Sequence, residues 1–505
     1  MTLPAVEPRT PAAEQAESRF LLPPIVLAVV ALWVIPLRTS LTLDETGNYW
    51  VLGGGFAQIY ARTKLWLGGP SLIYNYLVQV FRAAGGDSDI VLRLPSVLLM
   101  IAALALLYRV GLKFMGPLAS MCACLVFVVT PEVVMQASML RPYSLGMVFL
   151  LGAMLALVNW TATGRSRHGI AYAFLAALTV YAHFMFGLMY VVHLAYYWFH
   201  RTGAVKFRAL LAAWAAGAVL MLPLADQIMD MLATGKVHNY LSPPGFDVLL
   251  AGLVPSVLAG AIGAAILYSI LSGKPLAVSA RAPAGITRFL AVWAAVPPLI
   301  LFAVSLISGI TVFIERYYLQ SAPALALLAG AVLGSLETPV VRRTVAGCLA
   351  VVSILALGVQ DGFTRGAADW RGAIQAIREH PAGRDVPVLE VATFVEATTV
   401  EAIQDPRFAE VLFAPAYRYR LPGLVRLPAA LTPESEAYVE RLLAAGLEQK
   451  DEFMVFGVWT TQFYESYLRG RLLHTHTGRT LGQYSGVKVV LFERNGAVRN
   501  RAPAP

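Results

Sequence analysis

The sequence predicts an α-helical polytopic membrane protein with about eleven transmembrane helices and a small C-terminal extracytoplasmic α/β domain. Three observations predict it. Of the 505 residues, 58% are hydrophobic and only 14% charged, and the mean hydropathy is +0.64, whereas soluble chains are about 45–50% apolar and about 25% charged. The apolar residues come in blocks near the ~20 residues that cross a bilayer. After residue 360 the composition changes to short strand-like and amphipathic segments. The charge deficit excludes an ordinary cytosolic enzyme, a disordered chain and a nucleic-acid binder. Cys122, Cys124 and Cys348 all lie inside apolar blocks, so neither a disulfide framework nor a cysteine metal site is implied.

In chain order, residues 1–19 form a polar cytoplasmic tail. The first block lacks a basic start and an Ala-x-Ala cleavage signal, so it reads as a retained anchor. The transmembrane domain covers 20–360, with apolar blocks at 21–38, 91–112, 117–134, 143–161, 170–182, 184–200, 207–225, 247–272, 287–309, 317–336 and 341–359. Lys and Arg set the orientation, because cytoplasmic loops collect them. With the N-terminus inside, inner segments carry fourteen basic residues, among them Arg9, Arg109, Arg165, Lys274, Arg281 and Arg342. Outer segments carry eight, among them Arg38, Arg141, Lys236 and Arg316. The alternation supports eleven crossings and an outside C-terminal region. Block 170–182 is short for a span, but the basic residues on both sides of 170–199 require an even number of crossings, so two helices turn near His183.

Residues 39–90 form a long first outer loop. Within it Ser71–Ala84 spaces apolar residues at helical intervals, as a helix in the membrane interface or a re-entrant one. The α/β domain spans 361–495. Asp369–Glu379 and Thr432–Ala445 read as helices, the latter with a Thr-Pro-Glu-Ser-Glu start. Val386–Val391, Phe453–Val458 and Val487–Phe492 read as strands. The tail 496–505 reads as disordered.

Ionisable groups are costly in a membrane, so their placement informs. The spans hold none at mid-depth except His193. The rest crowd the outer side: Asp44, Glu45, Glu132, Arg141, His183, Asp226, His238, Glu315 and Arg316. Such a rim, wet on one side and greasy on the other, suits transfer of a group from a lipid-phosphate carrier. The phosphate leaving group needs positive charge, which Arg141 or Arg316 supplies in fork geometry. The acceptor hydroxyl needs a carboxylate base, Asp44 or Glu45.

Each residue also has a plain structural role. Adjacent carboxylates beside a span are often a solvated loop, and Arg141 before Pro142 is often a headgroup anchor. His183 suits a hydrogen-bonded turn. His193, amid Tyr190, Tyr196 and Tyr197, suits a satisfied polar group between helices. His474-Thr475-His476 suits a surface strand or loop better than a metal pair. Gly53-Gly54-Gly55 has no strand before it and is a weak phosphate-loop signal.

In order and spacing, several motifs resemble the polytopic lipid-phosphate-sugar glycosyltransferases. That group includes the protein O-mannosyltransferase-like family 39 enzymes, bacterial relatives that glycosylate lipopolysaccharide, and the aminoarabinose transferases of lipid A. The motifs are Leu43-Asp44-Glu45, Leu92-Arg93-Leu94-Pro95-Ser96, Arg141-Pro142-Tyr143-Ser144-Leu145, Tyr181-Ala182-His183-Phe184, Arg316-Tyr317-Tyr318-Leu319 with Pro323, and Asp369-Trp370-Arg371. Gly69-Pro70-Ser71-Leu72 stands where the family often has His-Pro-Pro-Leu, and Met139 where many relatives have Glu. The resemblance implies a glycosyltransferase C-type helical bundle, a polyprenyl-phosphate sugar donor, an extracytoplasmic glycan, lipid or protein acceptor, and inversion. It implies Asp44 as base supported by Glu45, Arg141 and Arg316 on the donor phosphate, and Tyr143, His183 and Tyr317 as substrate-binding residues. It implies residence in a bacterial inner membrane and leaves a divalent cation open, without a clear ligand set.

Two other classes remain. A lipid or sugar transporter or flippase would keep charges or broken helices at mid-membrane, often in related halves; a flux assay distinguishes it. A non-catalytic envelope assembly factor would use the outer domain to bind a partner and would release no lipid phosphate from a labelled donor.

Overall fold

The computed structural model describes residues 11–65, 71–234, 243–254, 256–273, 282–364, 367–381, 386–421 and 423–496. Arg9, Gly69, Pro70, Lys236, His238, Lys274, Arg281 and residues 497–505 of the tail lie outside the described residues. The chain is an integral membrane protein. It divides into two compact units, one of residues 1–37 and 71–365, the other of residues 38–70 and 366–505.

The first unit is helical. Six of the eleven apolar blocks coincide with helices long and apolar enough to cross a membrane: Glu14–Arg38, Asp89–Phe114, Tyr143–Thr163, Phe207–Met229, Ala284–Ser308 and Pro339–Val359. Block 117–134 is broken. Pro117–Val129 and Pro131–Ala137 meet at a 69° bend; Thr130 between them is extended (ψ 124°), the conformation favoured before proline. Three further blocks hold shorter apolar helices, Phe184–Phe199, Ile262–Leu271 and Leu319–Ser335. The short fifth block is the 17-residue helix Ser166–Ala182, about 25 Å long at 1.5 Å per residue. It ends at His183, whose extended backbone (φ −160°) starts the 3₁₀ turn Phe184–Leu188, so the two-helix reading with a turn at His183 holds.

Small residues and polar pairs hold this unit together. A Cβ on Gly330 would lie 2.5 Å from the Ala123 nitrogen and 2.6 Å from the Ala119 oxygen, and one on Gly334 would lie 2.8 Å from the Ala119 Cβ. This small-xxx-small face lets helix Ala322–Ser335 press onto Pro117–Val129, the packing available where lipid removes the hydrophobic drive. His193 meets only part of the role expected of it: its ring contacts Tyr190 at 6.1 Å and its Nδ1 lies 3.3 Å from the Tyr172 hydroxyl, which also accepts from Trp214 Nε1 at 2.7 Å, but its buried Nε2 has no hydrogen-bond partner among the described residues. Arg342, counted above among the inner basic residues, lies in the first turn of helix Pro339–Ile354, 1% exposed and paired with Glu17.

The described residues of segment 39–90 are largely helical. Leu43–Leu52 and Gly55–Leu65 belong to the second unit, and Leu72–Gly85, the helix expected at 71–84, to the first. The triple glycine links the first two of these helices, with Gly55 at φ +66°. The second unit also holds a five-stranded sheet of β1 (Val388–Val391), β2 (Leu424–Leu427), β3 (Glu452–Gly457), β4 (His476–Tyr484) and β5 (Val487–Arg494). Its order is β2-β1-β3-β5-β4, with β1 parallel to β2 and β3 and the β3–β5 and β5–β4 pairs antiparallel. Helix Trp370–Glu379 packs Trp370, Ile374 and Ile377 against one sheet face. Helices Pro433–Ala444 and Thr461–Arg471 cover the other. β2, β4 and helix Thr461–Arg471 were not expected. His476 opens β4 but is buried, with Nε2 3.0 Å from the Lys450 carbonyl, rather than standing on the surface.

Candidate functional site

In the first unit, five sequence-predicted residues from three chain segments form one continuous row. Tyr143 begins helix Tyr143–Thr163 and is fully buried. Its ring stacks on His183 with centroids 5.0 Å apart and planes at 29°. His183 also meets Tyr317, with centroids 5.4 Å apart and planes tilted by 46°. The guanidinium of Arg141 lies 5.8 Å from the Tyr143 ring centre, and that of Arg316 lies 5.5 Å from the Tyr317 ring centre. The three rings thus meet through His183, with a cation over each tyrosine. Arg141 is 4% exposed, so its charge acts in a medium less polar than water, where an anion is held more strongly.

Local structure fixes each member. Arg141 follows the broken helix in a turn whose carbonyl at Met139 accepts from the Arg141 N–H at 2.8 Å. The same carbonyl accepts from Ser96 Oγ, which pairs with the Tyr74 hydroxyl at 2.6 Å. The Arg-Leu-Pro-Ser motif thus serves as scaffold: Ser96 braces the Arg141 turn, and fully buried Arg93 donates to the Leu37 carbonyl at 3.4 Å. His183 Nδ1 accepts from the Met185 N–H at 3.3 Å, which sets its ring and its tautomer. Gln320 ties this turn to the Arg316 segment, its Nε2 donating to the Met185 carbonyl at 2.8 Å and the Tyr317 carbonyl at 3.1 Å. Phe186 packs where Gly146 leaves room, since a Cβ there would lie 2.7 Å from its ring.

Gln320 and Tyr74 are functional supports that the sequence reading missed. The available signal was Gln320 itself, an amide inside an apolar block, where every polar group needs a partner. Glu132 lies in the short helix Pro131–Ala137 and Glu315 in the 3₁₀ segment that carries Arg316. Asp226 lies in helix Ala225–Thr234.

Asp44 and Glu45 belong to the second unit. Both lie in the first turn of helix Leu43–Leu52, where negative charge suits the helix dipole. Glu45 is fully buried and its Oε2 accepts the Thr42 N–H at 2.8 Å, half of a capping box. Asp44, one residue earlier, is half-buried. The two carboxylates therefore differ: one closes the helix start, the other stands beside it. Among the described residues no group of three or more His, Cys, Asp or Glu side chains is placed to hold a metal ion.

A family model described as dolichyl-phosphate-mannose-protein mannosyltransferase matches residues 70–226, the stretch that carries Arg141, Tyr143 and His183. No curated protein matches the sequence. Among solved structures, ArnT from Cupriavidus metallidurans in the apo state is similar with a TM-score of 0.54 at 12% identity, over 94% of this chain and 98% of that chain. The same protein bound to undecaprenyl phosphate gives 0.52 at 14% identity over the same shares. The mycobacterial arabinofuranosyltransferase AftD gives 0.51 at 16% identity, over 94% of this chain and 40% of that one. At such identities the likeness establishes the fold. It is the fold that the motif resemblance implied.

Proposed function

We propose that the chain is an integral membrane glycosyltransferase that moves a sugar from a polyprenyl-phosphate sugar to an extracytoplasmic glycan, lipid or protein acceptor, with inversion. The carrying observation is the Tyr143–His183–Tyr317 ring cluster with Arg141 and Arg316 over its two tyrosines. Two guanidiniums held by aromatic rings suit a phosphate at headgroup depth, and the matched family is one of mannosyltransferases acting from a lipid phosphate. The ArnT structure with undecaprenyl phosphate supports the same lipid class for the donor.

In this reading the acceptor hydroxyl attacks the anomeric carbon on the face opposite the phosphate. Asp44 takes the hydroxyl proton, a role assigned by its motif. Glu45 supports it by fixing the helix start. The C–O bond to the phosphate breaks, and the charge that develops there is met by Arg141 and Arg316. The rings of Tyr143 and Tyr317 and the imidazole of His183 face the donor. The N-terminus is cytoplasmic, the second unit extracytoplasmic and the membrane a bacterial inner membrane.

The test uses purified protein in lipid, a labelled undecaprenyl-phosphate sugar panel and a cell-envelope extract as acceptor. Release of undecaprenyl phosphate by the wild type, with none from Asp44→Asn, is the expected result. Sugar movement across the bilayer without cleavage would establish a transporter instead.

A further inference from the structure

The segment leading into Asp44 is gripped by the C-terminal domain, within a single compact unit. Arg371, in the first turn of helix Trp370–Glu379, donates from Nη1 to the Arg38 carbonyl at 3.3 Å and from Nη2 to the Thr39 carbonyl at 3.2 Å. Its backbone N–H donates to Ser40 Oγ at 3.2 Å. The Tyr419 hydroxyl accepts from Ser40 Oγ at 3.0 Å and from the Leu41 N–H at 2.8 Å. Leu43 packs on the cluster around Trp370. At the far end of the Asp44 helix, Trp50 Nε1 donates to Glu410 Oε2 at 3.0 Å. Both ends of the helix are thus fixed by residues more than 300 positions later in the chain.

The arrangement also explains the Asp-Trp-Arg motif residue by residue. Asp369 caps helix Trp370–Glu379, accepting the Gly372 N–H at 3.0 Å. Trp370 is fully buried in the domain core. Arg371 is thereby aimed back at residues 38–40. A hydrophobic domain would need no arginine fork spent on two carbonyls of a distant loop. A device for holding that loop in register does.

We infer that the C-terminal domain is a positioning device for Asp44, with Tyr419 and Arg371 as its positioning residues; this rests on the assignment of Asp44 as base. An ill-placed base lowers the rate of the chemical step and leaves donor binding intact, and small misplacements cost up to about 10²-fold. The experiment compares full-length wild type, Tyr419→Phe, Arg371→Ala, Arg371→Lys and Asp44→Asn in lipid. It reads amide hydrogen exchange of residues 38–46 together with kcat and donor KM. Expected are faster exchange in Tyr419→Phe and Arg371→Ala, a kcat roughly ten- to a hundredfold lower, and an unchanged donor KM. Arg371→Lys, which keeps a cationic donor group at one nitrogen in place of the two of the fork, should recover part of the kcat. Unchanged exchange in both variants overturns the inference, as does faster exchange with unchanged kcat while Asp44→Asn is inactive. A fully active Asp44→Asn removes the base assignment itself, and the inference falls with it.

Discussion

If Arg141 and Arg316 hold the donor phosphate as proposed, removing either guanidinium takes away a charge-assisted hydrogen bond, worth about 1.5–3 kcal/mol. Arg141→Ala or Arg316→Ala should therefore weaken undecaprenyl-phosphate binding by roughly ten- to a hundredfold, as read by titration in nanodiscs. Arg141→Lys should recover little of that loss, because a lysine cannot reproduce the planar fork. Glu390 offers a second test at this scale. It lies in β1, in register with Arg426 of β2, and is 1% exposed, with Oε2 lacking a hydrogen-bond partner among the described residues. Burial holds its carboxyl well above the usual range, against the weaker opposing pull of Arg426. A carboxyl whose folded pKa is raised binds its proton more tightly in the folded state. Its stabilising contribution is full below the unfolded value of about 4.3 and is lost as pH rises toward the folded value. Glu390→Gln should thus raise the thermal midpoint of the second unit more at pH 8 than at pH 5. An equal gain at both would show that Glu390 does not titrate differently on folding.

At the scale of elements, legibility followed the number of constraints each segment satisfied alone. Helix Trp370–Glu379 and helix Pro433–Ala444 were readable because a capping residue and an amphipathic pattern coincide, Asp369 in one and Thr432 in the other. β2 was not, because Leu-Val-Arg-Leu is too short and mixed to show a period, and its strand character comes from pairing with β1. Asp44 and Glu45 were legible as a motif, but their helix was not, since Leu43–Leu52 depends on contacts made by Tyr419 and Glu410 far along the chain. His183 and both arginines were visible in the sequence; the row they form was not, because three separate segments build it. Gly330 tests the element scale directly. Gly330→Leu would drive its side chain into the Ala119 and Ala123 backbone. The expected outcome is a lower thermal midpoint and yield of folded protein in detergent, with Gly347→Leu, whose added Cβ meets nothing within 4 Å, as the tolerated control.

For the whole molecule, the first unit carries the cationic ring cluster together with the membrane-length helices, and the second carries the Asp44 helix together with the five-stranded sheet. Under the proposed function, binding of the lipid phosphate and activation of the acceptor are then separable properties. Native mass spectrometry of the full-length protein, released from lipid with undecaprenyl phosphate present, tests this most directly. Wild type and Asp44→Asn should each retain one lipid phosphate, while Arg141→Ala and Arg316→Ala lose it. Retention by both arginine variants at the wild-type level would contradict the account.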